Sequence, residues 1–456
     1  MGSLMLEQDT IAAITTPQGV GAIGMIRLSG VRAVAIADAV FSKDIARAKG
    51  YSIHYGQFLQ DGKPLDEVLV SVFRAPRSFT REDVVEISFH GSPFILREAL
   101  DLLMQQGARL AHPGEFTQRA YLNGAMDLAQ AEAVADLIAS TNAQSHALAM
   151  DQLRGGISRE LQGLRSRLLD FTSLLELELD FAEEDVEFAD RVQLDRLLGE
   201  MLDRIAQLIR SFSFGNAIKE GVPTTIVGKP NAGKSTLLNQ LLQDNRAIVS
   251  AVAGTTRDMI EERLVIGGIE FRIQDTAGIR EAVDAIEAEG VQRSIGLAQK
   301  ASLVIYLFDP SQESGQEVEA AIAQLALPAA TRILRIANKS DLPSHSAPSS
   351  ADISISAMAG HHIDALKQAM VASIHSYWEG SLQAESTVVS NARHAFALRK
   401  TYESLQSARE ALLAGISSDL VAIDIRAALY QLGSITGEVS TEEVLGNIFG
   451  KFCIGK

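Results

Sequence analysis

Cysteine, long apolar runs and a leader-like start are all missing or scarce in this chain. A single cysteine among 456 residues excludes an internal disulfide, which is typical of proteins in a reducing compartment. No run of about 18 apolar residues occurs, so we expect no transmembrane helix. The segment from Met1 to Glu7 has neither a basic nor a long apolar stretch. We therefore expect no secretory signal and a cytoplasmic protein.

Basic residues are also fewer than acidic residues. Forty-one Lys and Arg against 57 Asp and Glu give a formal net charge of −16. This balance argues against broad, sequence-independent nucleic-acid binding, although it leaves room for a local basic patch or for a partner that carries RNA. Apolar residues make up 46% of the chain, which is a globular composition. The length allows roughly two to four domains.

The segment from Gly228 to Ser235 fits the phosphate-loop pattern G-x-x-x-x-G-K-[ST]. It follows a β-branched run and precedes a helix-like segment, which is the context that this motif needs. We expect Lys234 to reach the β- and γ-phosphates and the Ser235 hydroxyl to ligate Mg²⁺. The residues predicted to surround the phosphates are Asn231, Ala232, Gly233, Lys234, Ser235 and Thr236.

A second segment indicates which base is bound. Residues 338–341 read N-K-S-D and follow a strand-like run, so they lie where open α/β sheets bind ligands. The Asp341 carboxylate can accept hydrogen bonds from the guanine N1–H and 2-amino groups, a donor pair that adenine lacks. The segment resembles the N-K-x-D element of GTPases, and 354–357 resembles a weaker element that contacts the base through its backbone. The predicted base-binding residues are Asn338, Lys339, Asp341, Ser356 and Ala357.

Two further elements lie between these segments. Residues 275–278 follow a strand-like run and resemble the D-x-x-G element, with Asp275 holding Mg²⁺ through water and the Gly278 N–H meeting the γ-phosphate. Residues 254–258 resemble a switch I threonine element, with Thr256 as the second Mg²⁺ ligand. The residues assigned to nucleotide binding here are Thr255, Thr256, Asp275, Thr276, Ala277 and Gly278. Five elements in this order predict a Ras-like P-loop GTPase domain.

The hydrophobic periodicity predicts a multidomain α+β and α/β protein. We expect an N-terminal α+β domain at 1–122, with β-like runs that include 11–14, 68–73 and 84–89. A helical-bundle domain is predicted in two parts, 123–215 and 383–456, with the GTPase domain inserted between them at 216–382.

Three local features accompany this division. Gly267 and Gly268 predict a hairpin turn. The acidic run at 176–190 is most simply a solvated helix end and loop, and not a metal site. Ser440 is predicted to cap the last helix, with Glu443 reaching back to it.

The chain ends F-C-I-G-K at 452–456, and this tail, the phosphate loop and 254–258 together resemble the MnmE (TrmE) family of bacterial tRNA-modification GTPases. Segments 9–13, 24–30, 112–117 and 129–133 agree, so the resemblance spans essentially the whole chain. It implies a folate-binding-like N-terminal domain that takes a 5-formyl- or methylene-tetrahydrofolate and forms a homodimer.

The resemblance also implies an FAD-containing partner, MnmG (GidA), which alone carries the FAD. The two proteins, in a heterotetramer or larger complex, would modify carbon 5 of the wobble uridine of certain tRNAs. The folate would supply the one-carbon unit of an aminomethyl or carboxymethylaminomethyl group, and the tRNA would be bound mainly with the partner.

Several residues match family positions around the folate. A pterin offers a donor edge to Glu86, and glutamate carboxylates can meet Arg27 or Lys456. Where family members often carry Lys, this chain has Ala125. Cys453 is interpreted either as a reactive thiolate near the folate, favoured by neighbouring cations, or as a small buried residue.

For hydrolysis, the family uses K⁺ in paired G domains where other GTPases use an arginine finger. Asn231 matches the phosphate-loop ligand of K⁺, and Glu287 matches the switch II residue that orients the attacking water. The switch I positions that match K⁺ ligands are Ser250, Val252 and Thr255, of which Ser250 and Thr255 are also assigned to GTP. Arg257 and Arg280 are the alternatives for an arginine finger.

Three other functions fit parts of the pattern. One is a ribosome-assembly GTPase of the Era class, which would carry a basic RNA-binding module after the G domain. The second is a stand-alone folate-dependent transferase with a regulatory nucleotide domain. The third is a non-catalytic assembly switch, against which the full phosphate and Mg²⁺ set argues.

Overall fold

The computed structural model describes residues 9–180, 191–243, 261–274, 295–329, 331–342, 350–378 and 387–455, without side chains at 174–180 and 375–378. The chain divides into two compact units: Met1–Ala139 with Ala149–Ser173 and Arg426–Lys456, and Ser140–Leu148 with Leu174–Ile425. No helix of the described residues is long and apolar enough to cross a bilayer.

The strands and helices alternate in a pattern that differs between the two units. The strands are β1 (Ile11–Ile14), β2 (Ile23–Ser29), β3 (Ser52–Gln60), β4 (Lys63–Phe73), β5 (Val84–His90), β6 (Arg109–Leu110), β7 (Val222–Val227), β8 (Glu262–Ile266), β9 (Ile269–Gln274), β10 (Leu303–Phe308), β11 (Arg332–Ala337) and β12 (Ile353–Ser354). The helices are α1 (Ala33–Ala39), α2 (Pro93–Gln105), α3 (Glu115–Leu122), α4 (Leu128–Ala139), α5 (Ala143–Leu153), α6 (Gly156–Asp180), α7 (Arg191–Glu220), α8 (Lys234–Gln243), α9 (Gly315–Gln324), α10 (Ile363–Trp378), α11 (Ala392–Leu413), α12 (Ser418–Thr436) and α13 (Glu442–Phe449).

The first unit is built on a sheet of order β3-β4-β5-β2-β1-β6, antiparallel except for the β1–β6 pair. Alternate residues of its strands, such as Val68, Val70 and Val72, are buried because they share one face of the sheet. Helices α1 and α2 cover that face, and their apolar residues join the same core. This confirms the α+β character predicted for the N-terminal region.

Helix α13, also in the first unit, begins one residue later than predicted. The expected cap at Ser440 is wrong: Thr441 is the N-cap, and its hydroxyl accepts a hydrogen bond from the Val444 N–H at 3.3 Å. The Ser440 hydroxyl instead lies 3.3 Å from the Tyr121 hydroxyl. Two adjacent hydroxyl residues precede the helix, and the second one meets the free backbone donors.

The second unit contains a sheet of order β12-β11-β10-β7-β9-β8. Every neighbouring pair is parallel except β8–β9, which forms the hairpin predicted at Gly267 and Gly268. Strand β10 is buried on both faces because helices cover both sides of a parallel sheet. Its residues alternate between a core that includes α8 and α10 and a core that includes α9. The mainly parallel sheet expected of a GTPase domain is confirmed.

Long helices belong to the second unit as well. Helix α11 has the bounds that its periodicity predicts, and it lies along α7, where Arg409 Nε is 2.7 Å from Asp195 Oδ1. Both helices fall in the same compact unit as the parallel sheet. The boundaries at 123–215, 216–382 and 383–456 stay a prediction. The side chains of the acidic run at 176–190 lie outside the described part of the structure.

Candidate functional site

The predicted phosphate loop connects β7 to α8, as the sequence indicates. Asn231, at the outer side of the loop, has a φ of 62°, a left-handed conformation that Asn tolerates better than most residues. Gly233 has a φ of 101°, and a Cβ there would strike the Asn338 side chain. The first turn of α8 then begins at Lys234, so the helix N-terminus faces the loop.

Lys234 reaches back across this loop. Its Nζ donates hydrogen bonds to the carbonyl oxygens of Gly228 at 2.8 Å and Lys229 at 2.9 Å. Burial lowers the pKa of the Lys234 ammonium. A lysine at the first turn of a helix that follows a glycine-containing loop is a site that suits an anion, because the cation and the positive end of the helix dipole both favour negative charge there.

Asn338 connects the phosphate loop to the predicted base-binding residues. This side chain is buried; its Nδ2 donates to the Ala232 carbonyl at 2.8 Å, and its Oδ1 accepts from the Ala357 N–H at 2.9 Å. The structure therefore brings together three of the elements that lie far apart in sequence. Ser356 is buried beside Ala357, and its hydroxyl accepts from the Ala359 N–H at 3.0 Å.

The next residue of the N-K-S-D segment, Lys339, is held by a carboxylate that directly follows strand β10. Lys339 has a φ of 65°, and its Nζ lies 2.7 Å from Asp309 Oδ2. Burial of Asp309 would raise the pKa of its carboxyl, but hydrogen bonds from Lys339 and Ser311 outweigh burial and lower it. Asp341 is exposed at the end of the segment. We call the residues 228–236, 338–341 and 356–357 the candidate nucleotide site.

The rest of the predicted nucleotide and cation ligands lie outside the described residues. They are Ser250, Val252, Thr255, Thr256, Asp275, Thr276, Ala277, Gly278 and Glu287, and the same holds for Arg257, Arg280 and Lys456. Among the described residues, no group of three or more His, Cys, Asp and Glu could hold a metal ion. The hydroxyl of Ser235, a hard oxygen donor at the start of α8, is the described member of the predicted Mg²⁺ set.

Two acidic residues in the loop after β10 were missed by the sequence analysis. Asp309 and Glu313 each lie within salt-bridge distance of a lysine of the candidate nucleotide site. Asp309 directly follows a continuously apolar strand, so the rule that placed 338–341 at a strand end could have found it. Glu313 has no such signal, because its contacts depend on the packing of loops.

In the first unit, Arg27 and Glu86 face each other across β2 and β5. They are register partners, with Arg27 Nη2 2.8 Å from Glu86 Oε1 and both side chains 21% exposed. The Arg27 guanidinium also lies 5.5 Å from the centre of the Phe79 ring and 5.6 Å from that of Phe116. A paired cation and carboxylate beside two aromatic rings form a surface that suits a flat, polar ligand.

The C-terminal tail docks beside this pair. Its Cys453 carbonyl accepts a hydrogen bond from the Gly114 N–H at 3.3 Å. Gly455 has a φ of 98°, and a Cβ there would lie 2.6 Å from the Ile14 carbonyl oxygen. Ile14 pairs with Ile26, so the tail reaches the strand that carries Arg27. The thiol of Cys453 is exposed, and the interpretation of Cys453 as a small buried residue is wrong.

A network of charges around buried Arg119 and Glu115 holds the segment on which the tail docks. Arg119, of which 3% of the side chain is exposed, pairs with Asp9, Glu82 and Glu115. Arg109 also pairs with Asp9 and Glu115. Burial would raise the pKa of the Asp9 and Glu115 carboxyls, but their hydrogen bonds to both arginines outweigh it and lower the pKa. These charges are stable in a buried place because each has a partner of opposite sign.

Comparison with known proteins gives a consistent result. The family model described as "MnmE helical domain" matches residues 128–453, and the one described as "GTP-binding protein TrmE N-terminus" matches 10–125. A protein of Cytophaga hutchinsonii named tRNA modification GTPase MnmE is 52% identical over 98% of this chain and 98% of that protein. Proteins of the same name from Flavobacterium johnsoniae and Bacteroides fragilis are 48% and 46% identical over 99% of this chain and 100% of each of those proteins.

Among solved structures, a crystal structure of Era in complex with MgGDPNP and nucleotides of 16S ribosomal RNA matches 40% of this chain and 65% of that chain. The sequence identity is 21% and the TM-score is 0.25. At this level the likeness indicates nothing about the function of the chain.

Proposed function

The chain belongs to the MnmE family of tRNA-modification GTPases, and we propose that the candidate nucleotide site is where it binds and hydrolyses GTP. A GTPase that acts in tRNA modification needs a phosphate site and a guanine site in one rigid frame. The observation that carries the proposal is the Asn338 side chain, which ties the phosphate loop at Ala232 to the base-binding backbone at Ala357. The Era-class alternative is dropped, because the full-length relatives above are named tRNA modification GTPases.

Within this site, Lys234 would meet the β- and γ-phosphates, and Asp341 would accept from the guanine edge. The bound Mg²⁺ would supply charge neutralisation at the phosphates, and the residues proposed to hold it are Ser235 and Thr256, with Asp275 through water. Gly278 and the neighbouring 276–277 would approach the γ-phosphate. Oxygen donors of this kind fit a hard cation.

Hydrolysis is proposed to depend on K⁺ and on pairing of two G domains. Asn231 supports this proposal, because it is exposed on the outer side of the phosphate loop, where an amide oxygen suits a monovalent cation. Ser250, Val252 and Thr255 would complete the oxygen set, and Glu287 would orient the attacking water.

The test of the K⁺ proposal is GTP hydrolysis in K⁺ against Na⁺ buffer at matched ionic strength, for the wild type and Asn231→Ala. We expect stimulation by K⁺ that Asn231→Ala removes. Asn239→Ala is the control, because this exposed residue of α8 lies outside the loop and should leave the stimulation unchanged. Equal rates in both salts would exclude the K⁺ mechanism, and Arg257 and Arg280 would then be tested as arginine fingers.

The first unit is proposed to bind a tetrahydrofolate derivative. The support is the pair of Arg27 and Glu86 beside two aromatic rings, which offers a cation for carboxylates and an acceptor for the donor edge of a pterin. The tail beside it would add Cys453 and Lys456, and the folate would supply a one-carbon unit. The N-terminal region 1–122 would thus be the folate domain, and Ala125 would leave one family cation unmatched.

Calorimetric titration of 5-formyl-tetrahydrofolate tests this assignment. Arg27→Gln should weaken binding by about tenfold, since one charged contact contributes about 1.4 kcal/mol. Arg74→Gln is the matched control, because Arg74 forms a comparable pair with Asp83 at 2.7 Å in the connection between β4 and β5. Equal affinity of Arg27→Gln and wild type would contradict the assignment.

The modification reaction is proposed to need an FAD-containing partner of the MnmG type, with tRNA bound mainly by the pair. Formation of modified wobble uridine only when the partner is added would support this, whereas turnover by the pure protein would favour a stand-alone transferase.

The proposed homodimer is supported by the edge strand β3. Its exposed apolar residues Ile53 and Tyr55, with Tyr51 just before it, form an apolar patch that a second copy could cover. Sedimentation should show that Ile53→Glu weakens the dimer, whereas Val192→Glu, at an exposed position on α7, should not. A dimer unaffected by Ile53→Glu would place the interface elsewhere.

A further inference from the structure

The loop after β10 carries two buried carboxylates that each contact a lysine of the candidate nucleotide site. Asp309 Oδ2 lies 2.7 Å from Lys339 Nζ, and Glu313 Oε1 lies 3.4 Å from Lys229 Nζ. Their side chains are 6% and 2% exposed. A buried carboxylate is costly unless it is paired, so contacts of this kind constrain the groups on both sides. Asp309 contacts the base-binding segment, and Glu313 contacts the phosphate loop.

Glu313 is itself held in place from the side of the sheet. The Tyr306 hydroxyl, on buried strand β10, donates to the same Oε1 at 2.8 Å. Burial, together with the Glu313 charge, raises the pKa of the Tyr306 hydroxyl, so it remains a donor. The Glu313 N–H donates to the Asp309 carbonyl at 3.0 Å, and the next residue, Ser314, caps α9 in a full capping box. The carboxylate is therefore fixed by backbone and side-chain contacts.

Lys229, the second residue of the phosphate loop, is held at both ends. Its carbonyl accepts from Lys234 Nζ at 2.9 Å, and its side chain contacts Glu313. The Ala232 N–H also donates to the Lys229 carbonyl, at 3.3 Å. The position of Lys229 therefore affects both the lysine that meets the phosphates and the turn of the loop.

We propose that Glu313 is a positioning residue for the phosphate loop, acting through Lys229. This inference rests on the proposed function of the loop in GTP binding. Glu313 fixes Lys229, and Lys229 fixes the carbonyl that orients Lys234, so the loop has its binding geometry before the nucleotide arrives. Such pre-ordering lowers the cost of binding. It acts equally on bound substrate and on the transition state, and so it affects KM more than kcat.

The test is a double-mutant cycle on nucleotide affinity, with Glu313→Gln, Lys229→Gln and the double variant. The Glu313→Gln amide oxygen can still accept from Tyr306, so only the charge pairing with Lys229 is lost. We expect each single variant to raise the Kd for GDP and for GTP by about three- to tenfold. The double variant should bind no more weakly than either single one, and the kcat of Glu313→Gln at saturating GTP should stay within about twofold of the wild type.

Glu319→Gln is the matched control. Glu319 lies on α9 and pairs with Arg335 at 2.6 Å; its side chain is 49% exposed, and Arg335 lies outside the candidate nucleotide site. Its replacement should leave nucleotide affinity unchanged. Thermal melting checks that each variant is folded. If Glu313→Gln does not fold, Lys229→Gln, at a half-exposed residue, carries the same prediction for Kd.

Two results would overturn the inference: unchanged Kd in both single variants, or additive losses in the double variant. GTP binding by Lys234→Ala distinguishes a failure of this inference from a failure of the proposed function of the loop. If the wild type binds GTP and Lys234→Ala does not, the loop assignment stands and only the role of Glu313 is at stake. If Lys234→Ala binds as well as the wild type, the assignment of the loop itself is wrong.

Discussion

Replacing Asn338 with Asp changes one atom in the contact that joins the phosphate loop to the base-binding residues. In the wild type the Asn338 nitrogen donates to the Ala232 carbonyl at 2.8 Å. The Asn338→Asp carboxylate can still accept from the Ala357 N–H, but it cannot donate to that carbonyl. The variant therefore loses one hydrogen bond and sets two oxygens against each other in a buried place.

The magnitude follows from the burial of the site. Asn338 is 3% exposed and Ala232 is 2% exposed, so water replaces the lost donor poorly. A buried carbonyl left without a partner costs about 2 kcal/mol. If the loss falls on nucleotide binding, the Kd for GDP rises roughly 30-fold. Burial also favours the protonated form of the new carboxyl, which can donate again, so the defect should shrink as the pH falls.

The assay is a fluorescence titration with a GDP analogue, alongside thermal melting. Asn391→Asp is the matched control, because the Asn391 side chain caps α11 by accepting from the Arg393 N–H at 2.9 Å, a role that a carboxylate keeps. We expect little change for Asn391→Asp. Affinity of Asn338→Asp within about threefold of the wild type would refute the claim that this amide positions the loop.

Three further predictions concern stability. Thr441→Ala should lower the free energy of unfolding by about 1 kcal/mol in urea denaturation, because the cap of α13 is lost, whereas Ser440→Ala should cost less; the reverse order would restore the cap at Ser440. Thr141→Val should cost about 1–3 kcal/mol, because the Thr141 hydroxyl donates to buried Glu270 at 2.6 Å, and an unchanged melting temperature would contradict this. The pKa of the Glu115 carboxyl is lower in the folded protein than its unfolded pKa of 4.5. The stabilisation by ionised Glu115 is therefore complete above pH 4.5 and is lost as the pH falls through the folded pKa. Unfolding free energies measured across this pH range should therefore fall less steeply for Glu115→Gln than for the wild type, and equal slopes would show that Glu115 does not contribute.

Much of the fold could be predicted because periodicity and loop chemistry act locally. The apolar run of β1, the alternation along β5 and the glycine loop after β7 can each be recognised from a few neighbouring residues. Strand β3 was missed, because its exposed face mixes Ile53 and Tyr55 with polar residues and no simple alternation results. The predicted N-cap of α13 was wrong by one residue, because both Ser440 and Thr441 have hydroxyls that can cap a helix.

The candidate sites were predicted less completely. Lys234, Asn338 and Ala357 were predicted from motifs, and the structure brings their segments together. The direct pairing of Arg27 with Glu86 depends on the register of strands far apart in sequence, and no local pattern indicates it. Glu313 was missed for the same reason, because its contacts exist only after the loop that carries it has packed against β10 and the phosphate loop.

The most direct test of the central claim is the nucleotide preference of the wild type and of Asp341→Asn, measured as hydrolysis of GTP, ATP and XTP. Xanthine carries a carbonyl where guanine carries the 2-amino group, so an amide side chain can donate to it and a carboxylate cannot. We expect the wild type to prefer GTP, and Asp341→Asn to lose GTP by on the order of 100-fold while it gains XTP. A preference that Asp341→Asn leaves unchanged would contradict the assignment of residues 338–341 as the guanine site.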